Sequence, residues 1–502
     1  MKRVSKVFYI AVTLVIITVI LGAAFPAQFE QVTTNVKDFV SMSFGWYYML
    51  LMSALVIFAI FIAASPFGKI RLGKDTDKPD FSTKSWIAML FSAGMGIGLV
   101  FYGAAEPIFH YMSDAPVSEV GTAQAFKDAL SYSYFHWGIH VWAMYGVVAL
   151  SLAYFQFRKD APGLISTTLK PIFGDKMDGP LGTAVDVLAV FTTVFGVATS
   201  LGFGAVQING GLSHLFGIEI GVVSQSFIIL IVTVLFLISA WTGLSKGIKY
   251  LSNTNMVLAL ILFIAVLILG PTLLIMNMFT ETFGLYLQNF IQMSFRTAPL
   301  EGDNRGWLDA WTIFYWAWWI SWAPFVGMFI ARVSRGRTIR QFLLGVIIIP
   351  TLVVSAWFAA FGSTAGNIQN NGTDLTQFAT ELILFNMFDN LPFSFVLSII
   401  AILLIASFFI TSADSATFVL GMQSTRGSLT PPNNIKIAWG IAQSSVALIL
   451  LYVGGLTALQ NTIIIAALPF SFIMILMAIA LYIALNNELK LMNKKKSIKK
   501  KE

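Results

Sequence analysis

Tryptophan crowds one stretch of the chain, Tyr315-Trp316-Ala317-Trp318-Trp319-Ile320-Ser321-Trp322-Ala323-Pro324. At about 100° per residue its four tryptophans fall within about 160° of arc on a helix. A second stretch, His136-Trp137-Gly138-Ile139-His140-Val141-Trp142-Ala143-Met144-Tyr145, sets Trp137, Trp142 and Tyr145 within about 140° of one face. Aromatic faces attract cations through the ring quadrupole. A quaternary ammonium suits such a cage, because it has no N–H to give a hydrogen-bonding site. Plain aromatic packing competes as the reading of both stretches. Pro324 removes a helical hydrogen bond and predicts a break beside the tryptophans.

Two further segments suit ions. Gly94-Met95-Gly96-Ile97-Gly98 places three glycines at every second position, which is poor for a helix. No nucleotide loop results, since G-x-G-x-x-G would need a glycine where Phe101 stands. Close helix packing is one reading. The other is an unwound helix whose freed amides and carbonyls bind a carboxylate and a cation at mid-membrane depth. Phe408-Phe409-Ile410-Thr411-Ser412-Ala413-Asp414-Ser415 offers hydroxyls of the kind a hard cation such as Na⁺ prefers. The competing reading has Thr411 and Ser412 bonding their own i−4 carbonyls. Asp414 reads as a packing or gate residue, with a proton relay as the alternative. His136 and His140 have metal-pair spacing, but no third ligand accompanies them. No nucleophile–base pair marks an enzyme.

The elements that must position these residues are membrane helices. The chain has 502 residues, 57% hydrophobic and only 11% charged, too few charges to keep a soluble protein of this size wet. Apolar runs of roughly 20 residues recur, each long enough to cross a bilayer as a helix. They lack the alternation of a membrane barrel. Twelve spans are predicted: 7–26, 45–66, 84–111, 131–156, 181–213, 221–241, 250–278, 306–332, 337–363, 391–421, 434–454 and 459–486. With a cytoplasmic N-terminus, 27 of the 31 Lys and Arg fall on the inner side. The positive-inside rule then puts both termini in the cytoplasm of a multi-pass plasma-membrane protein. The net charge of +7 is therefore topological and no sign of nucleic-acid binding. No cysteine is present, which excludes disulfides and thiolate sites.

The stretch 281–305 is amphipathic and reads as a helix lying in the interface. It divides the chain into a two-span segment (1–83), a five-span unit (84–280), the linker (281–305), a second five-span unit (306–486) and a tail (487–502). An odd repeat of five would turn its second copy upside down. The lysine-rich tail either adsorbs to anionic lipid or stays solvated.

These motifs resemble the betaine/carnitine/choline transporter family, most closely its glycine betaine transporters from Gram-positive bacteria. Gly94 to Gly98 with Phe101-Tyr102-Gly103, and Trp316 to Trp322 running on to Ala331-Arg332-Val333-Ser334-Arg335-Gly336-Arg337, carry the likeness. The resemblance implies an all-α membrane fold of two inverted five-helix repeats, as in amino-acid/Na⁺ symporters, often assembled as homotrimers. It implies that Trp137, Trp142, Tyr145 and Trp319 box the trimethylammonium group and that Trp318 and Trp322 line the pathway. Backbone at Gly94 and Gly96 and the Ser200 hydroxyl would meet the carboxylate. One Na⁺ would bind near Ser92, Met95 and Phe408 with Thr411 and Ser412. A second would use Thr193 and Phe325, although Val197 stands where the family carries another threonine. The span 181–213 lacks the arginine of Na⁺-independent carnitine exchangers, and Gly96-Ile97-Gly98 replaces the G-I-D of proton-coupled choline transporters. Both departures favour Na⁺-coupled uptake of a zwitterion, by alternating access and for osmoprotection, with no counter-charged side chain at the cage. Ectoine, choline and carnitine are the alternative substrates. A receptor or uncoupled channel is the alternative of another class. No cofactor is expected beyond the coupling ion.

Overall fold

Backbone groups in hydrocarbon must be paired within their own segment, and long apolar runs therefore fold as helices. The computed structural model describes residues 4–94, 96–242 and 245–499. Among them no strand forms; Arg71 and Thr338 make an isolated bridge. The main helices are α1 (Lys6–Ala24), α2 (Pro26–Ala64), α3 (Thr83–Gly94), α4 (Ile97–Met112), α5 (Ala123–Trp137), α6 (Ile139–Ala153) and α7 (Pro180–Phe216). They continue with α8 (Val222–Thr242), α9 (Ser245–Leu269), α10 (Thr272–Gln288), α11 (Phe314–Val333), α12 (Ile339–Asn370), α13 (Ser394–Gln423) and α14 (Asn433–Lys499).

Ten helical stretches among the described residues are long and apolar enough to cross a membrane. The difference from twelve has two local causes. The stretch 84–111 is broken into α3 and α4, each below 18 residues. The stretches 434–454 and 459–486 run together as α14, with non-helical backbone at Gly454 and Gly455. Gly455 has φ 58°, a left-handed conformation that glycine adopts without penalty.

Three other expectations change in detail. The helix expected over 281–305 begins earlier, at Thr272 behind Gly270-Pro271, and is followed by a short helix over Phe290–Phe295. The exposed residues of the two helices are mixed, apolar Leu287, Ile291 and Phe295 beside polar Glu281, Gln288 and Gln292. The break expected at Pro324 is absent. α11 runs through it, buried on nearly every side, and the irregularity is instead a wide π-type turn over Leu308–Ile313. The stretch holding Trp137, Trp142 and Tyr145 is two helices, broken at Gly138. A Cβ there would meet the Tyr134 carbonyl oxygen at 2.4 Å, so the break needs glycine.

Small residues let the helices close on one another. Gly327 of α11 faces Val148 of α6, Gly202 of α7 faces Leu459 of α14, and Gly204 of α7 faces Ile97 and Phe409. The Thr192 hydroxyl of α7 donates to the Ala466 carbonyl at 3.0 Å. These contacts gather α4, α6, α7, α11 and α13 around one interior space.

Candidate functional site: an aromatic cavity at a helix break

The cavity at that meeting point has a volume of about 160 Å³, counted as space open to the centre of a water molecule. Trp137, Trp142, Tyr145, Trp318, Trp319 and Trp322 all line it. Trp318 and Trp319 lie nearly parallel, 4.9 Å apart at 10°. Trp137 meets Trp319 edge to face at 4.7 Å and 68°. Trp142 meets Tyr145 at 5.7 Å.

Every one of the five indole N–H groups is spent on protein. Trp137 donates to Glu106 Oε2 at 2.9 Å and Trp142 to the Trp137 carbonyl at 3.1 Å. Trp318 donates to Ser200 Oγ at 3.2 Å, Trp319 to the His136 carbonyl at 2.9 Å and Trp322 to the Gly196 carbonyl at 2.8 Å. These bonds fix the rings. The chemistry left to offer a ligand is π-face, which suits a cation without N–H groups.

The helix break lines the same cavity. The chain leaves the helical conformation at Gly96, which is extended at φ −161° and ψ −179°. Gly96, Gly98, Phe408, Thr411 and Ser412 line the same cavity, as do Ser200 and Phe325. A Cβ on Gly98 would meet Trp318 at 2.7 Å and Trp137 at 2.9 Å, so glycine here admits both indoles. Gly94 ends α3. Ser92 belongs to the same helix, and Met95 lies outside the described residues.

Some expected residues behave differently in detail. The Ser200 hydroxyl is taken up by Trp318 on one side and faces the Gly196 carbonyl at 3.5 Å on the other. Thr193 does not line the cavity; its hydroxyl donates to the Ala189 carbonyl at 2.7 Å. His136 and His140 stand on different helices with different partners. His136 meets Glu106 and Thr312, whereas His140 Nε2 meets Ser294 Oγ at 3.0 Å. The pair is therefore no metal clamp. Asp414 is buried and accepts from Ser239 Oγ at 2.6 Å, a packing arrangement.

Sequence reasoning missed two polar groups. Asn255 of α9 lines the cavity, donates from Nδ2 to Thr411 Oγ1 at 3.0 Å and keeps a buried, unpartnered Oδ1. Glu106 of α4 is fully buried one indole behind the cage. The cage therefore does have an acid beside it, contrary to the expectation of no counter-charge. An acid deep in an apolar span was the available signal.

A membrane-embedded cavity between helices, lined by aromatic rings and by a broken helix, is the build of a transporter of small solutes. The chain belongs to the betaine/carnitine/choline family of transporters, whose sequence profile matches residues 6–490. It is 58% identical to the glycine betaine transporter OpuD of Bacillus subtilis over 97% of this chain and 96% of that protein. It is 45% identical to an ectoine/hydroxyectoine transporter of Virgibacillus pantothenticus, covering 94% of this chain and 95% of that one. A probable glycine betaine transporter of Desulfitobacterium hafniense is 41% identical over 97% and 98% of the two chains. The protein is thus a multi-pass membrane transporter and not an enzyme.

Proposed function

We propose that this protein imports glycine betaine, driven by Na⁺, by alternating access. The observation that carries the reading is the cavity itself. It is lined by fixed aromatic faces together with the unwound backbone at Gly96 and with Thr411 and Ser412. The trimethylammonium group sits among Trp137, Trp142, Tyr145 and Trp319, with Trp318 and Trp322 lining its path. The carboxylate meets backbone at Gly94 and Gly96 beside Ser200. Na⁺ takes Thr411 and Ser412 hydroxyls with carbonyls near Ser92, Met95 and Phe408. A second ion at Thr193 and Phe325 would raise the Hill coefficient for Na⁺ above one. Twelve crossings, two inverted five-helix repeats (84–280 and 306–486), cytoplasmic termini, a lipid-facing basic tail, a homotrimer and a role in osmoprotection complete the proposal.

Uptake of labelled betaine into proteoliposomes, with and without an inward Na⁺ gradient, tests it. Saturable uptake that collapses without Na⁺ is expected. Equal uptake without Na⁺ refutes coupling, and flux that does not saturate points to a channel. Competition by ectoine separates the second substrate reading, which the 45% identical ectoine/hydroxyectoine transporter favours. Choline and carnitine complete the competition series.

A further inference from the structure

Glu106 is the centre of a fully buried polar cluster that the transport reading does not use. Its Oε2 accepts from Trp137 Nε1 at 2.9 Å and from the Tyr315 hydroxyl at 2.6 Å. Its Oε1 faces His136 Nδ1 at 2.7 Å, and His136 Nε2 faces Thr312 Oγ1 at 2.9 Å. His110 Nε2 stands 3.4 Å from Oε1.

Glu106, His110 and His136 present ligand atoms within 4.8 Å of one another, a spacing that a metal ion could bridge. The tautomer of His110 argues against it. An indole N–H can only donate, and Trp307 Nε1 donates to His110 Nδ1 at 3.1 Å. The proton of the neutral ring is then on Nε2, the nitrogen a metal would need. The same proton suits a nearby carboxylate. Trp137 and Tyr315 donate to Glu106, His136 Nδ1 lies within hydrogen-bond distance of it, and His110 Nε2 faces it without forming a hydrogen bond. The cluster is built for a carboxylate anion.

One of those donors lines the cavity, and a second backs its aromatic wall. Trp137 lines the cavity and meets Trp319 edge to face at 4.7 Å. Tyr315 stacks on Trp319 at 5.7 Å and 11° and on Trp318 at 6.3 Å and 14°. A donor hydrogen bonded to an anion pushes electron density back into its ring, which deepens the negative face. We propose that Glu106 is a positioning residue that fixes Trp137 and Tyr315 and, through their N–H and O–H bonds, makes the cage selective for a cationic head group. The carboxylate never touches the solute. It supplies negative potential from behind the rings and adds no hydrogen-bonding acceptor of its own at the cage faces.

This inference rests on the aromatic cage of the proposed function, and the test separates the two. Affinities for glycine betaine and for 3,3-dimethylbutyrate, its uncharged-head carbon isostere, are measured by competition against labelled betaine. Glu106→Gln keeps the shape and removes the charge. It should weaken betaine by roughly 2- to 30-fold, the span of one cation–π contact, and leave the isostere unchanged. Glu106→Asp, which restores the charge, should keep the discrimination between the two ligands even where both bind less well. Equal weakening of both by Glu106→Gln means packing alone and overturns the proposal, as does no weakening of either. Should Glu106→Gln not assemble, Tyr315→Phe removes one of the two couplings and must narrow the same discrimination. Infrared difference spectra provide a second readout: a carboxylic-acid carbonyl band assigned to Glu106 would also overturn it. If Trp319→Ala leaves betaine binding intact, the cage reading itself fails, whatever Glu106 does.

Discussion

Gly98→Ala is the smallest perturbation that should reach the cage. The added methyl would lie 2.7 Å from the Trp318 ring and 2.9 Å from the Trp137 ring. A comfortable carbon–carbon contact is about 3.5–4.0 Å, so the rings must retreat by up to about 1 Å. Neither can do so freely. Trp318 is tied to Ser200 and Trp137 to Glu106 by their indole N–H groups. Overpacking of this kind costs about 1–3 kcal/mol. Alanine returns up to about 1 kcal/mol as the better helix former. The net stability loss is therefore about 0–2 kcal/mol, and the protein should still assemble. Binding should suffer more, because two of the cage faces move together. An increase of roughly tenfold in the betaine Kd is expected, corresponding to about 1.4 kcal/mol. Tryptophan fluorescence titration of purified protein reads it. Gly96→Ala is the internal comparison, since a Cβ there meets nothing within 4 Å and the extended backbone accepts any residue. A Gly98→Ala protein that binds betaine as tightly as the parent would refute the claim that these two indoles form the site.

Two further outcomes follow from the same geometry. Trp319→Ala should raise the betaine Kd by roughly 2- to 30-fold, the range of a cation–π contact, in the same fluorescence titration. Thr411→Ala should raise the Na⁺ concentration for half-maximal uptake with little effect on betaine binding at saturating Na⁺, and an unchanged Na⁺ dependence would remove Thr411 from the ion site.

The helices were legible because hydrocarbon forces long uninterrupted apolar runs, and those runs survive any packing arrangement. The tryptophan cluster was legible because four at mid-span exceed what an interfacial belt explains; three of them line the cavity, whereas Trp316 turns away and donates to Met49 Sδ at 3.2 Å. The failures share a cause. Proline usually breaks a helix locally, yet α11 passes through Pro324 because packing on all sides holds its neighbours. Gly138 breaks the helix that periodicity treats as continuous, so the 140° arc does not relate Trp137 on α5 to Trp142 and Tyr145 on α6. Trp137 reaches the cavity all the same, held there by Glu106. Asn255 and Glu106 were harder to read, because a lone polar residue in an apolar stretch signals a site without saying what it does. Their meaning comes from partners 156 and 31 positions away in sequence.

Thr411 shows how two readings that compete in sequence can describe one geometry. Its hydroxyl faces the Ser407 carbonyl at 3.0 Å and the Phe408 carbonyl at 3.2 Å, the back-bonding expected of a threonine inside a helix. A hydroxyl has one hydrogen and two lone pairs. Spending the hydrogen on the helix turns the lone pairs away from it. Asn255 Nδ2 occupies one at 3.0 Å, which leaves the other for a cation. Asn255 in turn has an unpartnered Oδ1 within the same cavity wall, a second oxygen of the kind hard cations prefer. Back-bonding therefore does not compete with ion binding here. It orients the oxygen that would do it, beside the Asn255 amide of the neighbouring helix α9.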